Sequence, residues 1–164
     1  MKAITIHQPW ASLIAIGAKR FETRGWKTNY RGPIAIHASN KDPHDMMQSL
    51  PHRLQVSIYD SFYDHFNIAS GALKRMPTGV IVATAILTEC YEVHIDHTGD
   101  IMLLIGGIPK VWIGQDSPEA NYGHYANGRY AWALTDVQRL PEPMPAKGQQ
   151  GLWNWTKEGE SNEH

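Results

Sequence analysis

Cysteine is all but absent from this sequence. Cys90 stands alone, so no disulfide can form within the chain. A single unpaired thiol suits a reducing compartment, and a cytoplasmic location is the expectation. Long apolar runs are missing as well: nothing approaches the roughly 20 residues that cross a bilayer, so no membrane partner is expected. The opening MKAITIHQPW lacks the apolar core of a secretory signal. No internal repeat and no flexible linker divides the chain. Its 164 residues are enough for one domain with a sizeable core, expected over 1–155, with a polar tail at 156–164.

Acidic residues are scarce in one place. The first 41 positions hold Lys2, Lys19, Arg20, Arg24, Lys27, Arg31 and Lys41 against Glu22 alone, although the whole chain has 15 basic and 16 acidic residues and a net charge of −1. Bulk attraction to a polyanion is therefore excluded, while a basic N-terminal quarter suited to a phosphate-bearing partner is not. The competing reading is a solvated basic face. Six tryptophans and seven tyrosines supply core volume and also flat surfaces on which a base can stack.

The pattern of elements is that of an α+β chain. MKAITIHQ alternates as a first strand. Pro9 is placed at the first position of a short helix carrying Trp10, Leu13 and Ile14, and Gly17 stops it. Residues 20–24 switch to period two, and 32–39 read as a strand. Asp42 caps a helical region that Pro51 interrupts. A second helix is expected from Val56 to Ala69, with Tyr59, Phe62, Tyr63 and Phe66 on one core-facing stripe. The Val/Ile/Thr-rich segment 79–93 is the plainest strand, long enough to curl around a barrel. Residues 96–107 hold weaker patterns, 118–128 are turn-like, and 129–137 form another strand. Pro141, Pro143 and Pro145 are expected to forbid regular structure up to GLWNW. Together these elements imply a small, mostly antiparallel β-barrel with two or three flanking helices.

Strand geometry sharpens the charged segment. Glu22 and Arg24 are two apart and share one face, which Trp26 continues; Phe21 and Thr23 point the other way, Phe21 into the core. Lys19 sits at the turn as a mobile point charge. Arg24 offers a planar fork for phosphate or a base edge. Glu22 can order both cations, accept from an amino group, or act as a general base. The alternative is a structural Glu22–Arg24 pair on an exposed edge, worth at most about 1 kcal/mol.

The stretch HQPWASLIAIGAKRFETRGW resembles the ASCH domain, the homology domain of the activating signal cointegrator, within the PUA-like superfamily. The family pattern of QPW, a small helix and then G-x-K-x-x-E-x-R is carried by Gln8, Pro9, Trp10, Gly17, Lys19, Glu22 and Arg24. Tyr30-Arg31-Gly32-Pro33, the strand ending His37-Ala38-Ser39, Gly128 to Trp132 and Gly148 to Trp153 also look like family features. The resemblance implies a PUA-like barrel with a cleft against the first helices, lined by Lys19, Glu22 and Arg24. Relatives use such clefts for RNA, modified bases or DNA. It further implies a nucleic-acid binding module, for RNA or a modified nucleotide, in which Lys19, Arg24 and Arg31 hold phosphate or sugar and Trp26 or Trp10 stacks a base. Gln8, His37 and Ser39 belong to the same expected surface.

Two alternatives stand beside that reading. Acetylcytidine amidohydrolases of the superfamily are similar in this motif but carry a threonine nucleophile where this chain has Glu22. A hydrolase built on Lys19 and Glu22 would need Glu22 to activate water. A protein-interaction domain in transcriptional regulation is the other. His94, Asp96, His97 and Asp100 cluster in sequence, but their spacing matches no strong metal motif, and neither a metal nor a cofactor is expected. Tyr122, His124 and Tyr125 sit among glycines as either a mobile rim or a packed loop. Oligomeric state is left open.

Overall fold

The computed structural model describes residues 1–66 and 76–157. Its elements run β1 (Lys2–Ile6), α1 (Trp10–Ala15), β2 (Phe21–Arg24), β3 (Gly32–Ala38), α2 (Pro43–Ser49), α3 (His52–Phe66), β4 (Val80–Ile95), β5 (Ile101–Ile105), β6 (Ile108–Ile113), α4 (Pro118–Asn121), β7 (Tyr130–Pro145) and β8 (Leu152–Asn154). All strands join one eight-stranded sheet in the order β2-β7-β4-β3-β1-β8, with β5 on β4 and β6 on β5. The ladders are antiparallel except β1–β3, which is parallel. This is the mostly antiparallel α+β architecture of the PUA-like class.

Among the described residues the ladder does not close, because β2 and β8 end the path unpaired with one another. A side chain spans the gap instead. Arg24 at the end of β2 donates from Nη2 to the Thr5 carbonyl of β1 at 2.8 Å.

Curvature comes from β4 and β7. Their pairing shifts register at three places, between Ile81 and Ala83, Thr84 and Ile86, and Leu87 and Glu89. Each irregularity bends the strand and re-aims its side chains. The largest shift explains how β7 holds prolines expected to exclude regular structure. Arg139 faces Ala83 and Met144 faces Ile81, so Pro141 and Pro143 fall in the excursion between paired residues. There a missing N–H costs no ladder bond.

The sheet wraps a core of Ile4, Ile14, Ile36, Leu87 and Trp132. Helices α1, α2 and α3 cover one end, packing Leu13, Met47, Ile58, Phe62 and Tyr122 together. Asp42 caps α2 by accepting from the His44 N–H at 2.8 Å, and Gly17 ends α1 at φ +80°. Pro9 stands one residue before α1, not in it, as its N-cap; its carbonyl accepts the Leu13 N–H.

Three expectations are corrected. Helix α3 begins at His52, not Val56, and residues 67–69 lie outside the described residues. Its buried face is Ile58 and Phe62 with Leu54 and Tyr59 at the margin, whereas Tyr63 is 53% exposed. The side chain of Phe66 lies outside the described residues. Residues 101–113 form the β5–β6 hairpin, turned by Gly106 and Gly107 at φ +55° and +77°. Two consecutive left-handed residues suit a tight hairpin turn, which explains the glycine pair.

Candidate ligand pocket

Helix α1 stops at Gly17, and the chain folds back so that the Lys19 N–H donates to the Leu13 carbonyl at 3.1 Å. That return aims the Lys19 side chain inward, under α1. Lys19 is only 2% exposed. Its ammonium donates to the Phe21 carbonyl and lies 3.6 Å from Glu22 Oε2. On the other side of the carboxylate, Arg24 Nε lies 3.0 Å from Glu22 Oε1. The two cations and the carboxylate thus meet, as the alternation of β2 requires for Glu22 and Arg24. Lys19 is not the mobile surface charge expected of its position at a turn: burial places it against the carboxylate. Burial also lowers the Lys19 pKa below its ordinary value, opposed by the charges of Glu22 and Glu119.

Beside this cluster lies a pocket of about 280 Å³. Trp10 and Leu54 form its helical side, Lys19, Glu22 and Thr23 its floor, and Asn121 to His124 its lip. Trp10 packs against the buried Tyr122, ring centres 6.4 Å apart and tilted by 49°, and both border the pocket. The volume sits near the lower end of the range of about 300–1,000 Å³ common for small-molecule sites.

The lip is bonded in place. The Tyr122 hydroxyl donates to the Ser57 carbonyl and lies 2.7 Å from Ser61 Oγ. The His124 N–H donates to Thr23 Oγ1 at 2.9 Å. Gly123 passes so close that an added Cβ would lie 2.6 Å from the Tyr125 ring and 3.0 Å from the Thr23 methyl. Glu119 fastens the segment to the start of β2. Its buried carboxylate accepts from the backbone N–H groups of Arg20 and Phe21, from Arg20 Nε and from the Tyr125 hydroxyl. Burial, and then the neighbouring Glu119 charge, raise the Tyr125 pKa. Tyr125 packs against the core of β2, β5 and β6.

The remaining sequence-derived candidates lie elsewhere. Arg31 is held by Glu89 and by the carbonyls of Thr28 and Tyr30. Trp26, 40% exposed, stands edge-on to Trp132 with ring centres 4.7 Å apart. Gln8 is buried; its amide donates to the Pro77 carbonyl and accepts the Ser12 N–H, fixing α1. His37 donates from Nε2 to the Ala146 carbonyl and packs on Trp153. Ser39 Oγ lies 2.7 Å from His7 Nδ1. Burial lowers the pKa of both His7 and His37, and for His7 the charges of Lys41 and Arg24 add to it. Lys19, Glu22 and Trp10 are therefore the candidates that share the pocket. Tyr122 and His124, read from the sequence as a mobile rim or a packed loop, form a bonded lip, and Glu119, about 100 residues downstream of Arg20, fastens that lip in a proximity that no local spacing encodes.

Asp96 organises the β4–β5 turn, accepting from Thr98 and from the Asp100 N–H. Among the described residues no three His, Cys, Asp or Glu side chains converge as a metal set. No helix among them is long and apolar enough to cross a membrane.

Two curated relatives, activating signal cointegrator 1 of Homo sapiens and of Mus musculus, are each 50% identical to this chain over 40 residues. That stretch is 24% of this chain and 7% of either relative, so only a small part of those proteins is matched. The ASCH domain model matches far more, residues 4–144. It runs from within β1, through the α1–β2 segment that builds the pocket floor, to the last residues of β7, and the chain belongs to the ASCH domain family.

Proposed function

We propose that this protein is a nucleic-acid binding module that takes an unstacked base, of RNA or of a modified nucleotide, into the Lys19–Glu22 pocket. The observation that carries this reading is a buried ammonium, one of whose three N–H donors meets no partner among the described residues, at the floor of a cavity bordered by Trp10. Lys19 has three N–H donors, of which the Phe21 carbonyl takes one and the Glu22 carboxylate, at 3.6 Å, engages another only loosely. Burying a charge in this way is costly unless its remaining partners are supplied. A base edge supplies them. A ring carbonyl or ring nitrogen accepts from Lys19 while an exocyclic amino group donates to Glu22. Trp10, half-buried on the helical side of the pocket, supplies an aromatic surface for the ring, and the buried Tyr122 backs it. Arg24 holds the carboxylate from behind, a positioning role rather than a phosphate contact.

The test is fluorescence anisotropy with short single-stranded RNA and DNA of mixed sequence, comparing wild type with Lys19→Met and Glu22→Gln. Both substitutions keep side-chain length. Each is expected to weaken binding by about tenfold or more, the range of one charge-assisted contact. Wild-type affinity in both variants, with unchanged melting, refutes the pocket as the binding site.

The same site favours a second reading, a hydrolase in which Glu22 activates water beside Lys19, since a buried lysine of lowered pKa in a cleft is a frequent feature of catalytic sites. Incubation with N4-acetylcytidine and with short RNA, read by mass spectrometry, separates the two. Turnover lost in Glu22→Gln establishes the enzyme, and unaltered substrates refute it.

A further inference from the structure

We infer that Arg129 is the phosphate contact of this module, so that the ligand is a nucleotide within a strand and not a free base or nucleoside. The inference rests on the pocket reading above. It starts from a shortage: the arginines placed near the site by the motif are already engaged. Arg20 pairs with Glu119, Arg24 with Glu22 and Arg31 with Glu89. A guanidinium held by a carboxylate attracts an anion less than a free one does.

Arg129 is different. Among the described residues no carboxylate pairs with it. Its Nε donates to the His124 carbonyl at 2.9 Å, and His124 forms part of the pocket lip. Its Nη1 extends toward the turn after β2, 3.6 Å from where a Cβ on Gly25 would stand. The guanidinium therefore lies between the lip and the end of the charged strand, beside the pocket and outside it.

The head group is also held in orientation. The Arg129 N–H donates to the Ala126 carbonyl, and its carbonyl accepts from the Val93 N–H. With the backbone fixed on both sides and Nε occupied, the terminal nitrogens are left as a fork. That geometry suits two phosphate oxygens, the recognition at which arginine exceeds lysine. Arg129 also borders a second hollow of about 210 Å³, shared with Glu92, His94, Asn127 and Tyr130. A strand whose base enters the first pocket has room there for the adjoining sugar, with the connecting phosphate at Arg129.

The experiment measures affinity of a short fluorescein-labelled random-sequence RNA across a salt series for wild type, Arg129→Gln, Arg129→Lys and Lys19→Met. The common ribonucleosides and their monophosphates serve as competitors. Arg129→Gln is expected to bind RNA about tenfold more weakly and to lower the slope of log affinity against log salt by about one. Arg129→Lys keeps the slope but loses affinity a few-fold, because charge survives and the fork does not. Monophosphates compete better than nucleosides against wild type and equally poorly against Arg129→Gln. Lys19→Met weakens binding with the slope intact. An Arg129→Gln protein with wild-type affinity and slope overturns the phosphate assignment even where Lys19→Met is impaired. Affinity in Arg129→Lys equal to wild type overturns the fork. A normal Lys19→Met beside an impaired Arg129→Gln refutes the base pocket and upholds Arg129. No RNA binding by wild type overturns both.

Discussion

Glu119 joins two distant segments through one carboxylate, and its surroundings set its worth. The Arg20 side chain is 64% exposed, so that ion pair adds little. The backbone N–H groups of Arg20 and Phe21 and the Tyr125 hydroxyl are another matter, because they lose a buried acceptor if the carboxylate goes. Glu119→Ala is expected to cost about 3–5 kcal/mol in urea unfolding, the range for stranding partners of a buried charge. Arg20→Ala should cost less than about 1 kcal/mol. Equal, small effects of the two would show that the carboxylate is not the anchor. Glu22 and Arg24 were legible in sequence because strand alternation alone puts i and i+2 on one face. Glu119 and Arg129 were not, because their neighbours at the site arrive by β2–β7 pairing and by the α4 turn. Lys19 was placed correctly but given the wrong environment: a lysine after a glycine turn is ordinarily solvated, and here the chain folds back beneath α1.

Elements were legible where a single period dominates. Strands β1 and β2 follow an alternation of period two and most of β4 its Val/Ile/Thr-rich run, and α1 and α2 carry their stop and cap in plain view. The β5–β6 hairpin was missed although Gly106-Gly107 between apolar runs is a hairpin signal. The sequence pattern ends β7 at residue 137 because three prolines follow, yet Pro141 and Pro143 fall in a register excursion and Pro145 pairs with Val80 at the strand's last position. Helix α3 shows a subtler failure. Tyr59, Phe62, Tyr63 and Phe66 have helical spacing, but the face that packs follows Ile58 and Phe62, one step round the helix. Phe62→Ala should therefore destabilise by about 3–5 kcal/mol. Tyr63→Ser, on the exposed side, should stay within about 0.5 kcal/mol. Chemical denaturation of the two variants decides between the faces; a larger loss from Tyr63→Ser would restore the original stripe.

At the scale of the molecule, an open sheet is drawn together by polar side chains on its inner edges. Arg24 bridges β2 to Thr5 of β1. His7 meets Ser39 where β1 and β3 end, and His37 reaches across to Ala146 beyond β7. The first of these links joins β1 to the strand that holds Glu22, and the guanidinium that makes it also lies against the Glu22 carboxylate. Protonation of the two histidines sets a pH dependence whose sign follows from burial. Both histidines bind a proton less readily when folded than at the ordinary 6.5 of the unfolded chain. Below about pH 6.5 the unfolded chain therefore takes up protons that the folded one refuses, and stability falls. Above that value the contribution of the pair is fully present. The expected melting curve is flat from about pH 8 to about pH 7 and drops by several degrees toward pH 5. In His7→Asn/His37→Gln, which cannot be protonated at these sites, the drop should be shallower even if the plateau is lower. Identical acid slopes in wild type and double variant, measured by thermal unfolding across that range, would place the acid sensitivity elsewhere in the protein.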